Sequence, residues 1–217
     1  MKRIISVILL IALSLLTLIS CGDRKYDEEE VKTAARKLIV DSVILNEIFW
    51  GEGLPYIEDR NTADGSYYEA EFMYHKNLGF ETLDELMELT EKTFSKGQCS
   101  VIEETILSSV VVGEETMTLS RYYQKVSLED NKTPVCIMVN SDCQNLIVGE
   151  SEYDFDSIKV IGSEKNKVYV TVNVTISLEE YEPQTRTVRI ALVEEDDGWK
   201  IDTPTYVSYD KTNLINK

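Results

Sequence analysis

Three regimes of hydrophobic patterning divide the chain. From Ile4 to Ile19 it carries no charge and, apart from Ser6, Ser14 and Thr17, no polar side chain. From about Glu29 to Trp50 apolar residues recur at helical spacing, with Val31, Ala35, Leu38, Leu45 and Phe49 on one stripe and Ala34, Val43 and Ile48 widening it. Asp27 to Glu30 places negative charge at the positive end of that helix dipole, and Gly51-Glu52-Gly53-Leu54-Pro55 stops it. Tyr67, Tyr68, Phe72 and Tyr74 then suit a short strand. Thr82-Leu83-Asp84-Glu85 is a capping box that opens a second helix running to about Ser95, with Lys96-Gly97 as its stop. Gln98 to Ser109 has the spacing of a third helix.

After Gly113 the period changes from helical to alternating. Strands are expected within Thr116 to Val126, Val135 to Val139, Asp156 to Gly162, Lys167 to Leu178, Gln184 to Val193 and from Trp199 onward. Val168, Val170, Val172, Val174 and Ile176 occupy one face of the longest alternation. Helices first and antiparallel strands afterwards predict an α+β fold, with N-terminal helices packed on a curved antiparallel sheet.

The apolar run at the start follows the cationic Met1-Lys2-Arg3 and ends at Leu18-Ile19-Ser20-Cys21. This arrangement is that of a secretory signal, and the last four residues resemble the lipobox of bacterial lipoproteins. The resemblance implies cleavage between Ser20 and Cys21, a diacylglyceryl group on the Cys21 sulfur and acylation of the new amino terminus. Two chains give stable anchoring where one is marginal. The implied organisation is a signal peptide over 1–20, a lipidated cysteine and tether over 21–30, a single domain over 31–207 and a polar tail over 208–217. The domain would stand on the extracytoplasmic face of the cell membrane.

Charge narrows the choice of partner. The whole chain has a formal charge of −17, and loss of Lys2 and Arg3 with the signal makes it two units more negative. Such a field repels nucleic acid and anionic lipid surfaces, which leaves the lipid itself as the membrane contact.

Residues with chemistry are few. Cys99, Cys136 and Cys143 remain after processing in a compartment that permits disulfides. Cys136 and Cys143 flank a turn-like stretch and are the candidate bridge, with Cys99 left as a buried thiol. His75 is the single histidine and reads as a surface or strand-end residue. Asp59 and Asn61 fit the first positions of a calcium loop, but Ala63 and Asp64 break it. Glu150, Glu152, Asp154 and Asp156 alternate, so an extended chain would line them on one face. No hydrolase, zinc or nucleotide motif is present, so no metal, cofactor or catalytic residue is assigned, and the reading leans away from an enzyme.

Phe49-Trp50-Gly51, Phe80-Glu81-Thr82-Leu83-Asp84-Glu85-Leu86, Thr93-Phe94-Ser95 and Gly198-Trp199-Lys200-Ile201 carry a second resemblance, spanning roughly Val31 to Thr203. They look like the nuclear-transport-factor-like superfamily, a cystatin-like cone of helices on a curved sheet. They are also similar to the secreted Gram-positive inhibitors of cell-wall D,L-endopeptidases. What these resemblances imply is a membrane-tethered, non-enzymatic binding domain that modulates an envelope hydrolase. The alternative is a small-molecule binder or enzyme using the hollow of the cone, with Tyr67, Tyr68, Tyr74 and His75 near its mouth.

Overall fold

A computed structural model describes residues 26–210, apart from 108–109, 113–114, 118–119, 131 and 144. Leu18 to Cys21, where cleavage and lipidation are expected, lie outside the described residues. No described helix is long and apolar enough to cross a membrane.

Helix α1 (Glu28–Trp50) begins where the Asp27 carboxylate accepts from the Glu29 and Glu30 amides, at 2.9 and 3.2 Å. Its buried stripe contains Val31, Ala35, Leu38, Ile39, Leu45, Ile48 and Phe49, and also the polar Ser42 and Asn46. There follow β1 (Tyr56–Asn61), β2 (Tyr67–Ala70), α2 (Phe72–Asn77), α3 (Leu83–Thr93) and α4 (Lys96–Ile106). The strands β3 (Val110–Val112), β4 (Glu115–Met117), β5 (Tyr122–Val126) and β6 (Pro134–Asn140) come next. Last are β7 (Glu150–Glu164), β8 (Lys167–Ser177), β9 (Gln184–Glu195) and β10 (Gly198–Ile201).

The fold is α+β. Its described strands form two four-stranded antiparallel sheets, ordered β1-β2-β6-β5 and β10-β9-β8-β7, and a β3-β4 ribbon, rather than one curved sheet. The division follows from β2, which leaves the helical half of the chain and pairs with β6 through Tyr67↔Asn140 and Tyr68↔Val139. In the second sheet Val168, Val170, Val172, Val174 and Ile176 are fully buried beneath the helical layer, as their alternation predicts. Helix α1 lies across β7, β8 and β10 and against α3. Each large apolar side chain so covered contributes about 1.5–3 kcal/mol.

Three local expectations are revised. The strand expected through Tyr74 ends at Ala70, and Phe72 and Tyr74 belong to α2. Pro55 takes the Glu71 amide, while the Tyr74 and His75 amides both turn back to the Glu71 carbonyl, which rolls the chain into a helix. Lys96 and Gly97 open α4 rather than close α3: Phe94 is extended, the Ser95 amide pairs with the Ile201 carbonyl, and the Ser95 hydroxyl caps α4 at the Gln98 amide. Packing also runs past 207. Tyr209 is buried, its amide donates to the Val148 carbonyl at 2.8 Å, and its hydroxyl donates to the Glu182 carbonyl at 2.8 Å.

Candidate functional site

The end of α1 is held by distant parts of the chain. A helix leaves its last carbonyls without partners. Here the Tyr122 hydroxyl donates to the Ile48 carbonyl at 2.7 Å, the Arg121 guanidinium to the Phe49 and Gly51 carbonyls at 3.4 and 2.5 Å, and the Leu146 and Ile147 amides to the Trp50 carbonyl. Arg121 is 5% exposed and among the described residues has no carboxylate partner, so its charge is satisfied by main-chain and amide oxygens. These contacts hold residues 145–148 beside the helix end.

Between α1, the start of β7 and the segment after β10 lies a cleft of about 470 Å³. One wall is apolar and aromatic, from Val43, Ile147, Tyr153, Tyr206 and Val207; Glu47, Glu52 and Glu150 supply carboxylates, and no lining residue is basic. The Trp50 ring backs Tyr206 at 5.5 Å. The floor is a directed chain of hydrogen bonds. The Ser42 hydroxyl donates to the Ile39 carbonyl, so its oxygen accepts from Thr205, whose own oxygen accepts from Asn46 Nδ2 at 2.7 Å. The order of donors fixes the Asn46 amide, with its nitrogen toward Thr205. Asn46 is 4% exposed and lines the cleft. Ser151 also lines the cleft, and its buried Oγ has no partner.

The carboxylates here run against helix electrostatics. The last turn of α1 has no basic residue, yet Glu47 sits there at the negative end of the dipole. Its Oε1 accepts from the Glu52 amide at 2.7 Å, and a Cβ at Gly51 would collide with the folded-back carboxylate. Tyr153 closes the base, donating to the Thr205 carbonyl at 2.6 Å, and burial pushes its phenol up to about 12.

The residues singled out in the sequence lie elsewhere. Tyr67 is buried, donates to the Ser120 carbonyl at 2.9 Å and packs on Tyr123; Tyr68 packs on Tyr56; Tyr74 is partly exposed on α2. His75 is not a surface residue: it is 1% exposed, stacked on Phe80, with Nδ1 at 3.0 Å from the Phe80 carbonyl. It therefore serves as a packed spacer in the turn after α2 and does not sit at a cavity mouth. The Cys136–Cys143 bridge is absent, since both thiols are free. Cys136 shares the face of β6 that carries Met138 and meets Glu69 and Lys125, whereas Cys143 lies by Arg121 and Tyr122. The two thiols therefore have different surroundings, Cys136 on β6 and Cys143 in the segment that follows the strand. Cys99 is buried as expected, and desolvation together with Glu91 and Glu195 raises its thiol to about 11. Such a thiol stays protonated and is a poor nucleophile. Glu150, Glu152, Asp154 and Asp156 are all exposed on β7; Glu150 lines the cleft, and Asp156, beyond a break in register after Asp154, meets Arg36 at 3.0 Å. Among the described residues no group of three His, Cys, Asp or Glu is placed to hold a metal ion.

Sequence reasoning missed the cleft, although Ser42 and Asn46, polar residues one turn apart on the buried stripe of α1, were a visible signal. No protein-family model matches the chain, and neither a curated protein nor a solved structure matches it significantly.

Proposed function

We propose that the chain is an extracytoplasmic lipoprotein, anchored by lipid on Cys21, whose domain binds a partner in the cell envelope without transforming it chemically. The anchor rests on Leu18-Ile19-Ser20-Cys21 after a cationic start and an apolar run. The binding role rests above all on one observation, the cleft at the end of α1, where the pinned Glu47 carboxylate, the unpartnered Ser151 hydroxyl and an aromatic wall meet. Arrangements that contradict local helix rules, here Glu47 against the dipole, concentrate at sites kept for function. An envelope hydrolase with a basic rim around its own groove is the partner class that the acidic surface suits. The rival, a hollow with Tyr67, Tyr68 and His75 at its mouth, has less support, because His75 is packed between Phe72 and Phe80.

Two experiments test this reading. Cys21→Ala is expected to release the protein from the membrane fraction; retention of the variant there refutes the lipid anchor. The full chain in non-ionic detergent, used as bait at low salt, is expected to recover an envelope protein with a basic surface. Recovery of nothing above a charge-matched control refutes the binding role.

A further inference from the structure

The chemistry of the cleft defines its occupant more narrowly than the proposed binding role, on which this inference rests. We propose that the cleft at the end of α1 is a recognition site for a primary ammonium or guanidinium group carried on an apolar stem. The directed chain through Thr205 and Ser42 commits the Asn46 amide nitrogen inward, which leaves its Oδ1 as an acceptor. Ser151 Oγ is buried and has no hydrogen-bond partner among the described residues, a condition that is costly to leave unrelieved. Asn46 Oδ1 and the carboxylates of Glu47 and Glu150 only accept hydrogen bonds, and the Ser151 hydroxyl can also accept. A site made of acceptors asks for a donor-rich cation, and the absence of any basic lining residue leaves that charge unopposed.

The remaining features fit the same ligand. Glu47 is held in place before anything binds, one oxygen fixed by the Glu52 amide and the chain folded against Gly51, so little side-chain freedom is lost on association. The Tyr206 ring, backed by Trp50, offers a face for a cation and an apolar surface for the methylenes behind it. A volume of about 470 Å³ admits one basic side chain or one small amine and is of the size usual for small-ligand sites. The same ammonium chemistry belongs to a lysine side chain of a protein partner and to a free alkylamine, and the test has an arm for each.

The full chain in non-ionic detergent is titrated by calorimetry with n-hexylamine, with its uncharged analogue n-hexanol, and with a short neutral-flanked peptide containing one lysine. The Trp50 emission beside Tyr206 serves as a second readout. Hexylamine or the peptide is expected to bind, hexanol about tenfold or more weakly, and each of Glu47→Gln and Glu150→Gln to weaken the amine about tenfold. Tighter binding of the peptide assigns the site to a partner's side chain, and tighter binding of hexylamine assigns it to a free amine. Equal binding of amine and alcohol, no heat up to about 10 mM, or indifference to both glutamine variants overturns the proposal. The carboxylates line an open cleft, so both variants are expected to fold, checked by unchanged thermal unfolding. Failure here is separable from failure of the binding role: a partner recovered equally by Glu47→Gln bait overturns the ammonium site alone.

Discussion

Asn46 on α1 and Thr205 beyond β10 stand 159 positions apart in the chain and share a hydrogen bond of 2.7 Å, which ties the C-terminal segment to the first helix. Thr205 is fully buried and also donates to Ser42 at 3.0 Å. Thr205→Val keeps the shape but removes the acceptor of Asn46 Nδ2 and the donor to Ser42, and is expected to lower stability by about 1–3 kcal/mol. Asn46→Ala acts on the same network, so the double variant should lose less than the sum of the two. Urea unfolding followed by tryptophan emission measures all three; strict additivity would show that the chain of hydroxyls is not one unit.

Arg121 makes a second prediction. Its guanidinium reaches the Phe49 and Gly51 carbonyls and Asn145, a fork that a point-like ammonium does not reproduce. Arg121→Met should cost about 3 kcal/mol and Arg121→Lys nearly as much, because carbonyls at the buried end of α1 are left without donors. Gly53 packs against the same group with φ of 84°, and a Cβ there would lie 2.6 Å from an Arg121 nitrogen. Gly53→Ala should therefore destabilise by about 2 kcal/mol or more through strain and collision together. A stability within error of the parent for Arg121→Lys would show that charge alone suffices.

Tyr153 links stability to alkaline pH. Burial raises its phenol from an ordinary 10 to about 12. The unfolded chain gives up this proton first, so its contribution is intact below pH 10 and is lost as pH rises toward about 12. Tyr153→Phe should be less stable near neutrality by about 1 kcal/mol, for the lost bond to the Thr205 carbonyl. It should also show a shallower alkaline decline than the parent. Parallel curves for parent and variant between those two pH values would count against a buried phenol.

The three thiols should differ in reactivity. Cys99 is buried and pushed to about 11, while Cys136 and Cys143 are half-buried and raised less far. Iodoacetamide on the folded protein is expected to label Cys136 and Cys143 before Cys99, as read by peptide mass. Stability should be the same with and without reductant. A reductant-sensitive stability that Cys143→Ser abolishes would establish the bridge that the free thiols of the structure argue against.

Much of the fold was legible locally. Asp27 and Thr82 start their helices as cap chemistry demands, although the Glu85 carboxylate accepts from the Glu81 amide rather than from Thr82. The alternation in β8 reports true burial, because a strand covered on one face has no other way to place five apolar residues. What failed was non-local. Nothing near Glu71 announces that Pro55 will take its amide, and nothing near Lys96 announces that Ile201 will hold Ser95 extended. The cleft was hidden for the same reason, since Asn46, Ser151 and Tyr206 meet only after α1, β7 and the final segment have packed. The aromatic run around Tyr67 and His75 drew attention because it is dense in sequence, yet its members spend their rings on one another and on the core.

Tyr26 stacks edge-on against Trp199 at 5.1 Å and donates to the Lys165 carbonyl, so the chain is moored at the foot of α1 before the helix begins. The 23 residues of α1 then separate that mooring from the cleft by about 34 Å. Under the proposed lipid anchor at Cys21, attachment would fall at the Tyr26 end of α1 and the cleft at its other end. The helix becomes a spar that decides reach. Shortening α1 by whole turns would draw the groove toward the lipid in steps of about 5.4 Å, which makes distance from the membrane a property written into the length of one helix.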